Sequence, residues 1–115
     1  MSKLECHHEP ISHRSFDLVS QESLERAAGM FRALGDPARL RLLEYLASGE
    51  KCVSELALES EQEVSTISQR LKVLRSERLI ERRRQGKHIY YSLQDQHVFD
   101  LVRSALEHAQ EHEQR

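Results

Sequence analysis

Apolar residues recur at helical spacing in several stretches of this chain and fall into strand-like runs in one. The breaks between them are marked by glycine, proline or polar clusters. From about Glu22 to Leu34 the positions Leu24, Ala27, Ala28, Phe31 and Leu34 share a helical face, and the run ends at Gly35. Asp36-Pro37 starts a second helix, with Asp36 as N-cap and Pro37 at the first helical position, where its missing N–H costs nothing. Leu40, Leu43, Tyr45, Leu46 and Ala47 carry that helix to Gly49. A short helix is expected from about Ser54 to Glu59, and a polar turn spans Ser60 to Glu63. Val64, Ile67, Leu71 and Leu74 then step by three, four and three residues, the stripe that anchors a fourth helix to a core. Leu79 to Leu93 reads as a two-stranded hairpin turning at Gln85-Gly86, and an amphipathic last helix follows Asp95. The element order is α-α-α-α-β-β-α, mainly α with a small β-hairpin. Residues 1–21, polar and mostly aperiodic, are expected to form a flexible arm before a domain at 22–112 and a tail at 113–115.

Composition narrows this to one domain, because 115 residues suffice for one hydrophobic core and not comfortably for two. Hydrophobic residues make up 38 % and charged residues 31 %, a profile of a folded, water-soluble, largely helical chain rather than a disordered one. No apolar run is long enough to span a membrane, and the N-terminus lacks the apolar core of a signal peptide. The expected location is cytoplasmic, with no membrane partner. Cys6 and Cys52 cannot build a secreted disulfide framework, and in a reducing compartment such thiols serve as ligands or redox groups.

The net charge of −2 conceals an asymmetry. Between Ser65 and Tyr91 eight basic residues (Arg70, Lys72, Arg75, Arg78, Arg82, Arg83, Arg84, Lys87) stand against Glu77 and Glu81, a local charge of +6 that leaves −8 for the remainder. A basic segment in an otherwise acidic chain is the footprint of a phosphate-backbone partner, although many charge runs are only solvated faces. The residues inside the segment favour the first reading. Two short helices joined by a tight turn and followed by a basic hairpin define a winged helix-turn-helix. The outward positions of the second of these helices are Ser65, Thr66, Ser68, Gln69, Arg70 and Lys72. Gln reads adenine edges, Ser and Thr take base edges or phosphates, and Arg70 and Lys72 hold the backbone. Arg83, Arg84 and Lys87 on the hairpin are expected to touch phosphate or the minor groove of double-stranded DNA.

The last helix carries a different chemistry. His97 and His108 lie eleven residues apart, close to three turns, so both leave the same face. At a rise of about 1.5 Å per residue the imidazoles are roughly 16 Å apart, and a metal needs its ligands within about 2 Å. Two such helices paired antiparallel about a two-fold axis bring the Asp95/His97 end of one to the His108/Glu111 end of the other, giving two equivalent sites per dimer. His108 and Glu111 are neighbours at i, i+3, and Asp95 is placed at the cap, free to swing toward an ion. Two imidazoles and two carboxylates suit tetrahedral Zn(II).

Taken together, Ala33-Leu34-Gly35-Asp36-Pro37-Ala38-Arg39-Leu40-Arg41-Leu42-Leu43, Cys52-Val53-Ser54-Glu55-Leu56-Ala57, Ser65-Thr66-Ile67-Ser68-Gln69-Arg70-Leu71 and Arg84-Gln85-Gly86-Lys87-His88-Ile89-Tyr90-Tyr91 resemble the ArsR/SmtB-type winged-helix metalloregulators of bacteria over about residues 22–112. The Asp-x-His and His-x-x-Glu pairs resemble those of the zinc-sensing branch. The resemblance implies a homodimer through the first and last helices, which represses an operator when metal-free and releases it when Zn(II), or Co(II) or Cd(II), binds. It also implies a second thiolate site in which Cys52 and Glu55 meet Cys6 with His7, His8 or His13 of the other subunit's arm. Leu74 and Arg78 match positions that couple the metal-site His to the reading head through a hydrogen bond. The chain departs from the pattern at Glu61, Gln62 and Glu63, where relatives carry Gly and an apolar residue.

Two other classes stay open: a thiol redox sensor using Cys6 and Cys52 on the same fold, and a winged-helix interaction module without a DNA role. An enzyme is not expected, nor a small organic substrate. The chain shows no phosphate loop and no nucleophile with a placed base, and an ion saturated by four protein ligands has no open position.

Overall fold

The computed structural model describes residues 17–113. Its elements are α1 (Gln21–Leu34), α2 (Pro37–Leu46), β1 (Lys51–Cys52), α3 (Val53–Ser60), α4 (Val64–Ser76), β2 (Ile80–Gln85), β3 (His88–Leu93) and α5 (Gln96–Glu113). Ser20 caps α1, accepting the Ser23 amide at 3.1 Å, so Ser20 and Gln21 belong to the folded domain rather than to an arm. Asp36 caps α2 as expected, its Oδ2 accepting the Arg39 amide at 3.0 Å, with Pro37 in the first turn. The Arg39 guanidinium reaches back to the Ala33 carbonyl at 2.7 Å and the Arg32 carbonyl at 3.2 Å. A cation on the open carbonyls of α1 locks the angle between the first two helices.

Four sequence expectations are corrected. The sheet has three strands, in the order β1-β3-β2, because Lys51 and Cys52 pair antiparallel with Tyr91 and Tyr90. Two residues are too few to show alternation, and only the partner strand reveals them. Helix α2 ends at Leu46, three residues before Gly49. Val64 does not anchor α4: it is 48 % exposed at the first helical position, while Ile67, Leu71 and Leu74 are buried. The hairpin closes one residue later than expected, Gln85 opposite His88, around Gly86-Lys87. Gly86 has φ 64, the positive value that a II′ turn requires at its first central position.

Ile67, Leu71, Leu74, Leu79 and Ile80 pack with Leu42, Leu43 and Leu46 of α2, Leu56 of α3, and Val98 and Val102 of α5 in one core. Each fully buried Leu or Ile contributes about 1.5–3 kcal/mol by leaving water. The passage from α4 to β2 is a Schellman motif: the Arg78 amide donates to the Arg75 carbonyl and the Leu79 amide to the Leu74 carbonyl, both at 3.0 Å, with Arg78 left-handed at φ 57. A similar close ends α3, where Glu61 sits at φ 55 and ψ 45 and the Gln62 amide donates to the Ala57 carbonyl at 3.0 Å. Among the described residues no helix is long and apolar enough to cross a membrane.

Glu61 occupies a conformation that costs an L-residue about 1–2 kcal/mol and glycine nothing. Glu61→Gly is expected to raise stability by about 0.5–1 kcal/mol after the added unfolded-state freedom of glycine is subtracted. Thermal denaturation at fixed protein concentration should show a melting point a few degrees higher. An unchanged or lower value would mean that residue 61 stores no strain.

Candidate DNA interface and metal-binding half-sites

Burial of Ile67, Leu71 and Leu74 forces the opposite face of α4 outward. Ser65, Ser68, Gln69 and Lys72 are exposed on it, and Thr66 and Arg70 are half-buried. Between α4 and the sheet runs a groove of about 370 Å³ lined by Ser68, Leu71, Lys72, Arg75, Arg82 and Tyr91. Arg75 and Arg82 were absent from the sequence-derived contact set. Their signal was available in spacing, since Arg75 lies one turn from Lys72 and Arg82 two residues from Arg84 on a strand.

Strand alternation divides the arginines of the wing. Arg82 pairs with Tyr91 and Arg84 with Ile89, on the side of the sheet that carries the buried Ile80 and faces α4. Arg83 pairs with Tyr90 on the other side. There its Nη2 and Nε donate to the two carboxylate oxygens of Glu50 at 2.5 and 3.3 Å, its Nη1 donates to Gln85 at 2.8 Å, and its guanidinium lies 5.3 Å from the Tyr90 ring centre. The hydrogen bond to Arg83 holds the Glu50 carboxyl below its ordinary range, and Glu50 in turn pushes the Arg83 guanidinium up. Arg84 and Lys87 are exposed.

On α5, Asp95 is the N-cap, its Oδ1 accepting the Val98 amide at 3.1 Å. The same oxygen is 3.9 Å from Nδ1 of His97, and at the other end Nδ1 of His108 is 3.7 Å from Oε1 of Glu111. The His97 side chain is 97 % exposed and that of His108 74 % exposed, so neither is committed to the core. Among the described residues no group of three or more His, Cys, Asp or Glu is gathered about one point. Among the described residues the donors therefore stand as two pairs, each with one imidazole and one carboxylate, and neither pair alone completes a metal site.

Cys52 is half-buried at the N-cap of α3, with Sγ 3.2 Å from the Ser54 hydroxyl. Glu55 accepts the Cys52 amide at 2.9 Å, and hydrogen bonding from Cys52 lowers the carboxyl of Glu55. Thiol and carboxylate are thus neighbours on one side of α3. Cys6, His7, His8 and His13 lie outside the described residues. Leu74 is buried with its carbonyl engaged by Leu79, and Arg78 is exposed in the left-handed turn.

An outward polar helix beside a basic, Gly-turned wing on a helical scaffold defines a winged helix-turn-helix protein. Residues 36–82 match the family model described as "Bacterial regulatory protein, arsR family". Over 105 residues, 91 % of this chain and 80 % of the relative, the chain is 41 % identical to a transcriptional repressor SmtB homolog of Synechocystis. It is 34 % identical to a cadmium resistance transcriptional regulatory protein CadC homolog of Staphylococcus aureus, over 91 % of this chain and 87 % of that one. A homodimeric winged helix-turn-helix DNA-binding domain of Mycobacterium bovis superposes with a TM-score of 0.76 at 33 % identity, over 79 % of this chain and 84 % of that domain. The chain belongs to the arsR family of bacterial regulatory proteins; it is a regulator and not an enzyme.

The cap assigns Asp95 a structural load separable from its charge. Asp95→Ala is expected to cost about 1 kcal/mol and Asp95→Asn, which still caps, only a few tenths. Urea denaturation of both variants checks this, and equal losses would show that the cap bond does not stabilise α5.

Proposed function

We propose that the protein is a metal-responsive transcriptional repressor, a homodimer that binds operator DNA when metal-free and releases it when Zn(II), or an ion of similar preference such as Co(II) or Cd(II), binds between subunits on α5. The observation that carries this reading is the splitting of the donors: Asp95 with His97, and His108 with Glu111, each form half a ligand set, too far apart to share an ion in one chain. A second copy supplies the missing half of each site. The exposed apolar stripe of α1, with Leu24 at 53 % and Phe31 at 61 % exposure, supports a dimer through the first and last helices. The metal would be held by nitrogen and oxygen donors, and its chemistry would be structural, drawing two α5 helices together. The residues proposed to meet DNA are Ser65, Thr66, Ser68, Gln69, Arg70 and Lys72 of α4 with Arg84 and Lys87 of the wing, joined by Arg75 and Arg82.

A second reading is favoured by one observation, the neighbouring Cys52 thiol and Glu55 carboxylate on α3, which with Cys6 and the arm histidines make a softer, thiolate-bearing site suited to Cd(II). Titration of the reduced protein with Co(II), followed by optical absorption, separates the two. One ion per protomer with an intense tetrahedral ligand-field spectrum and no sulfur charge-transfer band is expected for the α5 site. A strong thiolate band would move sensing to Cys52, and no tight binding would refute both. Intersubunit sharing has its own signature: His97→Ala and His108→Ala each abolish both α5 sites, whereas an equimolar mixture of the two variants regains one site in each mixed dimer. Failure of the mixture to bind would overturn the shared site.

Coupling between ion and DNA is proposed to pass from His108 to the turn after α4, at Leu74 and Arg78. Arg78→Gly, which suits the left-handed backbone at φ 57, is expected to leave metal affinity nearly intact while reducing the metal-driven loss of DNA binding severalfold. An undiminished response in paired metal and DNA titrations would remove Arg78 from the route.

A further inference from the structure

Glu50 and Arg83 are separated by thirty-three residues, yet they form a two-oxygen, two-nitrogen ion pair between the loop before β1 and the middle of β2. Arg83 also donates to Gln85 and lies over the face of Tyr90, the residue whose backbone pairs with Cys52 of β1. All of these contacts lie on the side of the sheet opposite Ile80, Arg82 and Arg84. The guanidinium is already paired with a carboxylate, and it lies on the side of the sheet away from the groove that Lys72, Arg75 and Arg82 line.

We infer that Arg83 is a positioning residue, which fixes the wing against β1 through Glu50 and Tyr90, and that phosphate contact on the wing falls to Arg82 and Arg84. The middle arginine of the Arg82-Arg83-Arg84 run thus has a different role from its neighbours, assigned by strand alternation. The two-stranded wing protrudes from the core, and β1, its only other strand neighbour in the sheet among the described residues, is two residues long. The Glu50–Arg83 pair adds a side-chain tie where the backbone ladder is shortest. This inference rests on the DNA-binding reading for its consequence and on the free protein for its geometry.

The test uses the full-length protein and a fluorescein-labelled mixed-sequence duplex of about 30 base pairs, with affinity read by anisotropy between about 50 and 200 mM salt. Each lost phosphate contact flattens the plot of log affinity against log salt by about one unit. Arg84→Gln is expected to flatten it by about one unit for each protomer on the duplex. Arg83→Gln and Glu50→Gln are each expected to lower affinity about two- to fivefold at unchanged slope. The exchanged pair, Glu50→Arg with Arg83→Glu, is expected to recover most of that loss.

A slope that falls with Arg83→Gln as it does with Arg84→Gln, or a steeper slope with Glu50→Gln, would show Arg83 meeting phosphate and overturn the inference. Amide hydrogen exchange of the free protein gives a readout independent of DNA. Arg83→Gln and Glu50→Gln should speed exchange along β3 around Tyr90, and Arg84→Gln should not; equal protection in all three would overturn the anchor. Absence of any salt-dependent binding by the wild type would refute the DNA-binding reading, while the exchange data would still decide whether Arg83 holds the wing.

Discussion

The reversal between α4 and β2 is the constraint on which the rest of the molecule depends. Leu74 is the last core residue of the outward-reading helix and Leu79 the first core residue before the wing, and one hydrogen bond joins the amide of the second to the carbonyl of the first. Leu79 is held from its other side as well, its carbonyl accepting the Gln94 amide at 3.0 Å just before α5 begins. Recognition helix, wing and last helix therefore meet at one buried leucine. Rotation of α4 relative to the wing would break the capping bonds of the turn or expose Leu74 and Leu79, each worth about 1.5–3 kcal/mol of burial.

That rigidity gives the split donors of α5 their proposed significance. Asp95 already caps the helix through Oδ1, so an ion recruiting its carboxylate would act on the first turn of α5, one residue after Gln94 ties into Leu79. The side chains of His97 and His108 are exposed, so an ion recruiting them would take nothing from the core. A half-site at each end of one helix would also make occupancy a report on assembly, since among the described residues neither half offers an ion more than one imidazole and one carboxylate.

Five of the eight basic residues of the segment are sorted by the fold into three parts. Lys72, Arg75 and Arg82 line one groove, Arg84 shares the side of the sheet that Arg82 occupies, and Arg83 is turned away and neutralised by Glu50. Exposed acids at Glu61 and Glu63 stand at the turn between α3 and α4, so the electrostatic field of the helix-turn-helix is weaker at its turn than along the groove.

Much of the architecture was legible from local chemistry. Asp36-Pro37 before an apolar run starts a helix, the four-three spacing of Ile67, Leu71 and Leu74 has one buried solution, and Gly86 between alternating strands makes a turn. The impossibility of His97 and His108 sharing an ion within one helix followed from helical rise alone. Interactions between distant segments were not legible. The β1 strand exists only because Tyr90 and Tyr91 pair with it, and Val64 is exposed because it begins its helix before the core is reached. Alternation along the strand already sets Arg83 apart from Arg82 and Arg84; what meets it on its side, a carboxylate thirty-three residues away, is not local. Sequence by itself determined the elements, their caps and the donor chemistry, because these depend on neighbours within a turn or two; the tertiary structure decided which charges are free, because that depends on which side of the sheet each one faces and what meets it there.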